Sequence, residues 1–172
     1  TNLNFVEREA EVLKFWKDNQ IFEKSIEEKE GCPVYTFYDG PPTANGKPHI
    51  GHVLTRVIKD MIPRYQTMKG HKIIRKAGWD THGLPVELGV EKMLGITKED
   101  IGKKISIEEY NNACRKEVMK YTKEWVSLTE RIGYWVNTED PYITYDNRYI
   151  ETLWYLLKEI YNKGLLYKGY TI

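Results

Sequence analysis

Residues Val34-Tyr35-Thr36-Phe37-Tyr38-Asp39-Gly40-Pro41-Pro42-Thr43-Ala44-Asn45-Gly46-Lys47-Pro48-His49-Ile50-Gly51-His52 decide how this chain is read. The first five are β-branched or aromatic, which suits a pleated strand. Asp39-Gly40-Pro41-Pro42 ends that strand, because neither proline can donate to a ladder. Residues 43–48 read as loop. Residues 50–68 read as an amphipathic helix with Val53, Val57, Ile58, Met61 and Ile62 as its inner face. Pro63 is expected to kink or split that helix, and Gly70 to stop it. Residues 71–76, with Ile73 and Ile74, predict a second strand, and 78–85 a second loop. Strand, loop, helix, strand, loop is the βαβ pattern of a parallel sheet, so the fold class is α/β.

Working outward, residues 4–19 predict a helix capped by Asn4, with Glu7 placed for a capping box and Val12, Leu13, Phe15 and Trp16 as its apolar stripe. Residues 23–31 are acidic and read as a connector. Downstream, 84–94 predict a short helix. Residues 106–131 predict one long helix, capped by Ser106 with Glu109 three positions on. A further helix starts at Asp146 or Asn147 and runs to 163, where Gly164 ends it, and 165–172 read as a third strand. The chain divides into an N-terminal helix and connector, 1–31, and an α/β unit, 32–172. A sheet of three parallel strands leaves an edge open to pairing, so one piece of a larger fold is expected.

The 172 residues are 41% apolar and 30% charged, which excludes a disordered tail, a collagen or a coiled-coil rod. A net charge of +1 argues for no particular partner. Cys32 and Cys114 are too few for a disulfide scaffold and read as structural free thiols, so a cytoplasmic location is expected. No apolar run reaches the ~18–20 residues of a membrane span, and the first twenty residues, rich in Glu and Lys, do not form a signal peptide. Charge is uneven in one place. Between 41 and 78, Lys47, Arg56, Lys59, Arg64, Lys69, Lys72, Arg75 and Lys76 face the single acid Asp60. That stretch could attract a polyanion such as ATP or RNA, or it could be a solvated helix face.

Chemistry concentrates at the strand-to-helix junctions, where open α/β sheets bind ligands. His49 and His52 fall on one face of the first turn of a helix. A helix start offers free N–H groups and a positive dipole end, so two imidazoles there point to phosphate binding. Gly51 between them leaves room for a flat ring against the backbone. No Walker loop or dinucleotide glycine pattern is present. The second loop, Gly78-Trp79-Asp80-Thr81-His82-Gly83-Leu84-Pro85-Val86-Glu87, opens onto the same sheet edge. Asp80 could receive a substrate ammonium, or Asp80 or Thr81 could merely cap the next helix. By residue type alone, His49, His52, Asp80 and His82 could also ligate zinc as in a metal hydrolase.

Pro48-His49-Ile50-Gly51-His52 resembles the HIGH signature of class I aminoacyl-tRNA synthetases. The Gly40–Gly46 segment and the Gly78–Glu87 loop narrow the resemblance to the isoleucine branch, and it extends through Gly133-Tyr134-Trp135 and Tyr145-Asp146. It implies the first half of a Rossmann-like fold and a ligase that joins isoleucine to tRNA(Ile) through an adenylate, using ATP with its Mg²⁺. It implies that His49 and His52 are catalytic and contact ATP, that Asn45 and Gly51 help hold the nucleotide, and that Gly40, Pro41 and Asp80 bind isoleucine. His82 and Glu87 are further candidates, and no metal ligand is expected here, any zinc lying in other parts of the longer enzymes. A monomer is expected. The second signature, Lys-Met-Ser-Lys-Ser, is missing, since Lys92-Met93 is followed by Leu94-Gly95. The editing insertion, expected to begin soon after 172, and the anticodon-binding region are likewise beyond this stretch. The fragment is therefore expected to be inactive or very weak alone. The rival expectation is a non-catalytic nucleotide- or RNA-binding fragment.

Overall fold

A computed structural model describes residues 4–170. In chain order the elements are α1 (Phe5–Asp18), α2 (Ile21–Glu27), β1 (Val34–Tyr38), α3 (Ile50–Met68), β2 (Lys72–Trp79), α4 (Leu84–Leu94), a 3₁₀ turn (Lys98–Asp100), α5 (Ile107–Val118), α6 (Thr122–Arg131), β3 (Asn137–Ile143) and α7 (Asn147–Asn162). The three strands form a parallel sheet in the order β1-β2-β3. Val34 pairs with Lys72 and Tyr38 with Lys76, while Gly78 pairs with Tyr142 and Trp79 with Ile143. The α/β reading and the βαβ unit therefore hold.

Capping residues set several boundaries where the sequence places them. Asn4 accepts from the Glu7 N–H at 3.4 Å, although Glu7 does not return the bond, so only half of the expected box forms. At α5 the box is complete: Ser106 Oγ accepts from the Glu109 N–H at 3.1 Å, and the Glu109 carboxylate accepts from the Ser106 N–H at 3.0 Å. Asp146 caps α7 through the Arg148 N–H at 2.9 Å.

Other expectations are overturned. The first part of the acidic connector, 23–27, is helical: it belongs to α2, whose Phe22 packs against Trp135 with ring centroids 6.0 Å apart. The single helix over 106–131 is two helices. The Tyr121 N–H leaves the helical ladder and donates to the Ala44 carbonyl at 3.0 Å, which breaks the helix between Met119 and Tyr121. The third strand is not at 165–172. Residues 165–170 form no strand, and 171–172 lie outside the described residues. The strand is Asn137–Ile143, polar and containing Pro141, as an edge strand can be. Its register shifts opposite Lys76–Gly78, where Asn137 Oδ1 accepts from the Glu139 and Asp140 N–H groups at 2.9 and 3.4 Å.

The largest correction concerns α3. Pro63 neither splits the helix nor ends it, and is buried on its inner face. That face is Arg56, Asp60 and Pro63, at helical spacing. Val57, Ile58, Met61 and Ile62, expected inside, are instead 40–57% exposed, and Val53 is only half-buried. The charges on and beside that face are paired: Arg56 and Lys59 with Asp39 (3.6 and 2.6 Å), and Arg64 with Asp60 (2.6 Å). Arg75, 2% exposed, donates to Thr67 Oγ1 and lies against the faces of Phe22 and Trp135. Burial lowers its pKa to about 10. Lys72 pairs with Glu30 and Lys76 with Asp140. Arg56, Lys59, Arg64 and Arg75 are thus engaged in the interior, Lys72 and Lys76 in ion pairs at the surface, and Lys47 and Lys69 are exposed.

The apolar core is divided: Val86, Val90, Tyr110 and Val118 are buried on α4 and α5, and two clusters lie against the sheet. Ala44, Trp79 and Trp125 form one cluster with Met119, Tyr121, Val126 and Ile143. Ala77, Tyr134 and Val136 form another with Ile132. Both cysteines are free and half-buried.

Candidate functional site

The strand ends are drawn together by buried polar bonds. Asp39, 1% exposed, follows β1 and accepts from Lys59 Nζ at 2.6 Å and from the Tyr134 hydroxyl at 3.1 Å. Burial and the neighbouring Asp39 charge push the Tyr134 phenol far above its ordinary value. Gly40, next in the chain, gives its carbonyl to the same Lys59 at 3.0 Å. The Asp80 N–H donates to the Pro42 carbonyl at 3.0 Å, which ties the loop after β1 to the loop after β2. The Tyr142 hydroxyl, from β3, donates to the Asp39 carbonyl. Gly40, Pro41 and Asp80 therefore stand at one rim of the sheet, as the sequence predicts.

His49 is the N-cap of α3. Its Nδ1 accepts from the Gly51 N–H at 3.1 Å, while His52 Nδ1 accepts from the His49 N–H at 3.0 Å. The rings lie 3.7 Å apart between centroids, tilted by 35°. Each Nδ1 is an acceptor, so each imidazole, when neutral, carries its proton on Nε2. Burial, then the neighbouring His49 and Arg56, lower the pKa of His52 and favour this neutral form. The arrangement leaves two Nε2–H donors free of the Nδ1 bonds at a helix start. Gly51 has a local reason to be glycine: a Cβ there would meet His49 Cε1 at 3.0 Å. The close ring it accommodates in this structure is the imidazole.

Asn45 is half-buried in a loop held on both sides. The Ala44 carbonyl accepts from Tyr121, and the Gly46 carbonyl accepts from Trp125 Nε1 at 2.9 Å. The Trp125 ring also meets His52 edge-on, 4.6 Å between centroids.

The second loop resolves one open alternative. Neither Asp80 nor Thr81 caps α4. Its N-cap is Gly83, with no side-chain cap, at a φ of 121° that suits glycine. Asp80 Oδ1 accepts from the His82 N–H at 3.2 Å, and Asp80 stays half-buried. Thr81 is turned inward onto Thr144, hydroxyl to hydroxyl at 2.7 Å, and His82 Nδ1 lies 3.0 Å from the same Thr144 oxygen. Glu87 is exposed in the first turn of α4, and its charge helps raise the Tyr110 phenol and the Cys114 thiol of α5, each raised mainly by burial. Among the described residues no three His, Cys, Asp or Glu side chains converge, so the zinc arrangement is not assembled. A groove lined by Phe5, Val12, Trp16 and Ile132 lies between α1 and the end of α6 and includes none of these site residues.

The sequence reading missed Asp39, Arg56, Trp125 and Tyr142 as supports of the site. Asp39 had a signal, an acid at the end of an otherwise apolar strand. Trp125 had none, because its partners are 79 and 73 positions away along the chain.

Comparison with known proteins agrees with this geometry. The profile of the class I tRNA synthetases (I, L, M and V) matches residues 11–172. The isoleucine–tRNA ligase of Porphyromonas gingivalis is 69% identical over 162 residues, covering 94% of this chain and 14% of that protein. That of Bacteroides thetaiotaomicron is 68% identical with the same coverage. That of Clostridium novyi is 52% identical over 172 residues, 100% of this chain and 17% of that protein. This chain thus spans about a sixth of such relatives or less. A crystal structure of an Agrobacterium radiobacter K84 LeuRS in a ternary complex with tRNA and LeuAMS shares the fold. Its TM-score is 0.61 at 22% identity, over 95% of this chain and 18% of that one. Among the described residues no helix is long and apolar enough to cross a membrane. With the profile running through the sheet, the paired histidines and the Asp80 loop alike, this chain belongs to the class I tRNA synthetase family of the isoleucine, leucine, methionine and valine enzymes.

Proposed function

We propose that this chain is the N-terminal part of the catalytic domain of an isoleucine–tRNA ligase, with residues 32–172 carrying half of its adenylate-forming site. The observation that carries the reading is that His49 and His52, at the start of α3 beside the Gly40–Pro42 and Asp80 rim, each accept a backbone N–H on Nδ1, which leaves Nε2 as the donor. A carboxylate oxygen of isoleucine attacks the α-phosphorus of ATP, and the α–β bridging bond breaks to release pyrophosphate. A tRNA ribose hydroxyl then displaces AMP from the acyl carbon. ATP arrives as its Mg²⁺ complex, the metal travelling with the substrate. No covalent enzyme intermediate is needed, so the chain's work is alignment and stabilisation of developing phosphate charge. His49 and His52 donate to phosphate oxygens, Asn45 and Gly51 help hold the nucleotide, and Asp80 pairs with the isoleucine ammonium beside Gly40 and Pro41. His82 and Glu87 play supporting parts, His82 through Thr144. The ligase acts as a cytoplasmic monomer on isoleucine, ATP and tRNA(Ile). The bare apolar face of α3 is the surface that the remainder of such a ligase would cover. The rival reading, an RNA-binding fragment, loses support because five of the eight cations of the basic stretch are already paired with carboxylates of the chain.

The test is isoleucine-dependent ATP–pyrophosphate exchange by the full ligase. His49→Ala or His52→Ala should each lower kcat by roughly 10²–10³, the loss typical of a transition-state hydrogen-bond donor. Asp80→Ala should raise the KM for isoleucine and leave that for ATP nearly unchanged. Wild-type rates in both histidine variants would end the phosphate assignment.

A further inference from the structure

Trp125 belongs to α6, far from the signature loop in sequence, yet it touches both halves of the nucleotide site. It is 2% exposed. Its Nε1–H donates to the Gly46 carbonyl at 2.9 Å, next to Asn45. Its ring meets the His52 imidazole at 4.6 Å and 64°, an edge-to-face contact. The Arg56 guanidinium lies 5.3 Å from the same ring, and 5.3 Å from Tyr134, while pairing with Asp39. The indole is therefore a wedge between the loop that carries Asn45 and the helix turn that carries His52. One turn earlier the Tyr121 N–H holds Ala44, so α6 grips the loop at two successive points around Asn45.

We infer that Trp125 is a positioning residue of the adenylation reaction: it sets the distance between the Asn45 loop and the His52 imidazole, and so the width of the ATP site. The inference rests on the adenylation reading given above. An edge-to-face pair orients as well as packs, because ring faces are negative and ring edges positive. Losing the Nε1–H bond frees the Gly46 carbonyl and the loop. Losing the ring leaves His52 without its edge contact, held only from the His49 side by the His49 N–H and the His49 ring.

Two substitutions in the full ligase separate these functions. Trp125→Phe keeps a ring for His52 but removes the bond to Gly46. Trp125→Leu removes both. Exchange rates are normalised to active sites by titration with isoleucine and ATP, which discounts molecules that fail to fold. Trp125→Phe should raise the KM for ATP about tenfold, with kcat per site within about threefold, as suits one lost hydrogen bond. Trp125→Leu should in addition lower kcat per site roughly 100-fold, as suits a misplaced catalytic group. In both, the KM for isoleucine should change less than the KM for ATP: Trp125 reaches Asp80 only through its packing on Trp79, while the Asp80 N–H stays bonded to the Pro42 carbonyl. His52→Ala is run alongside. If it loses rate while both Trp125 variants keep wild-type KM and kcat per active site, Trp125 is only core packing and the inference fails. If His52→Ala itself keeps full rate, the adenylation reading fails instead.

Discussion

Gly78 carries the sharpest packing constraint near the site. It lies in β2 opposite Tyr142 of β3, and a Cβ on it would sit 2.2 Å from Tyr142 Cζ. Its φ is not in the left-handed region, so alanine brings no backbone strain, only the collision. To restore ordinary contact at ~3.5–4.0 Å the ring must retreat by more than an ångström. The hydroxyl then leaves the Asp39 carbonyl, and the ring loosens from Tyr38 and Tyr149. Overpacking costs roughly 1–3 kcal/mol and a lost hydrogen bond roughly 0.5–1.5 kcal/mol, so Gly78→Ala should destabilise by about 2–4 kcal/mol. The assay is urea unfolding of the 172-residue chain at high dilution, followed by tryptophan fluorescence. The control is a double-mutant cycle with Tyr142→Ala. With the ring gone, its three closest contacts are gone too, and Gly78→Ala should cost under about 0.5 kcal/mol. An equal cost in both backgrounds would refute the collision as its cause.

Two further outcomes follow from the buried polar groups. Asp39→Asn leaves Arg56 and Lys59 without their shared counter-charge and should cost about 3–5 kcal/mol of stability, read from the urea midpoint. Lys59→Met should cost much less, since Arg56 still answers Asp39. The pKa of His52 is lower folded than unfolded, so the unfolded chain binds more protons on acidification. Its contribution to stability is intact above the ordinary value of 6.5 and is lost as pH falls from there through the lowered folded value. The urea midpoint should drop more steeply over that range in the wild type than in His52→Gln.

Local chemistry was readable from the sequence wherever a signal and its cause lie close together. The caps at Asn4, Ser106 and Asp146, the abrupt stop at Pro41-Pro42 and the span of α3 all depend on neighbours within four residues. So did the pairing of His49 with His52. What the sequence hid depends on partners far along the chain. The apolar stripe of α3 gave its amphipathicity but not its orientation, because Arg56 and Asp60 face inward only once Asp39 and the Trp135 N–H are there to receive them. β3 was hidden by Asn137, Glu139, Asp140 and Pro141, residues that an edge strand tolerates and a propensity argument rejects. The break at Met119–Tyr121 exists because a loop carbonyl 77 positions upstream captures one amide.

The caps of α3 are unusual in being aromatic. An N-terminus ordinarily meets an anion with its bare amides, at backbone distance. Here two amides, those of His49 and Gly51, are spent on Nδ1 of His52 and His49, and each ring, polarised by the bond it accepts, hands the positive pole across to its far nitrogen. The helix in effect extends its donors by the width of an imidazole. Its grip on a charged guest can then be adjusted by a small rotation of a ring, while the helix itself stays still.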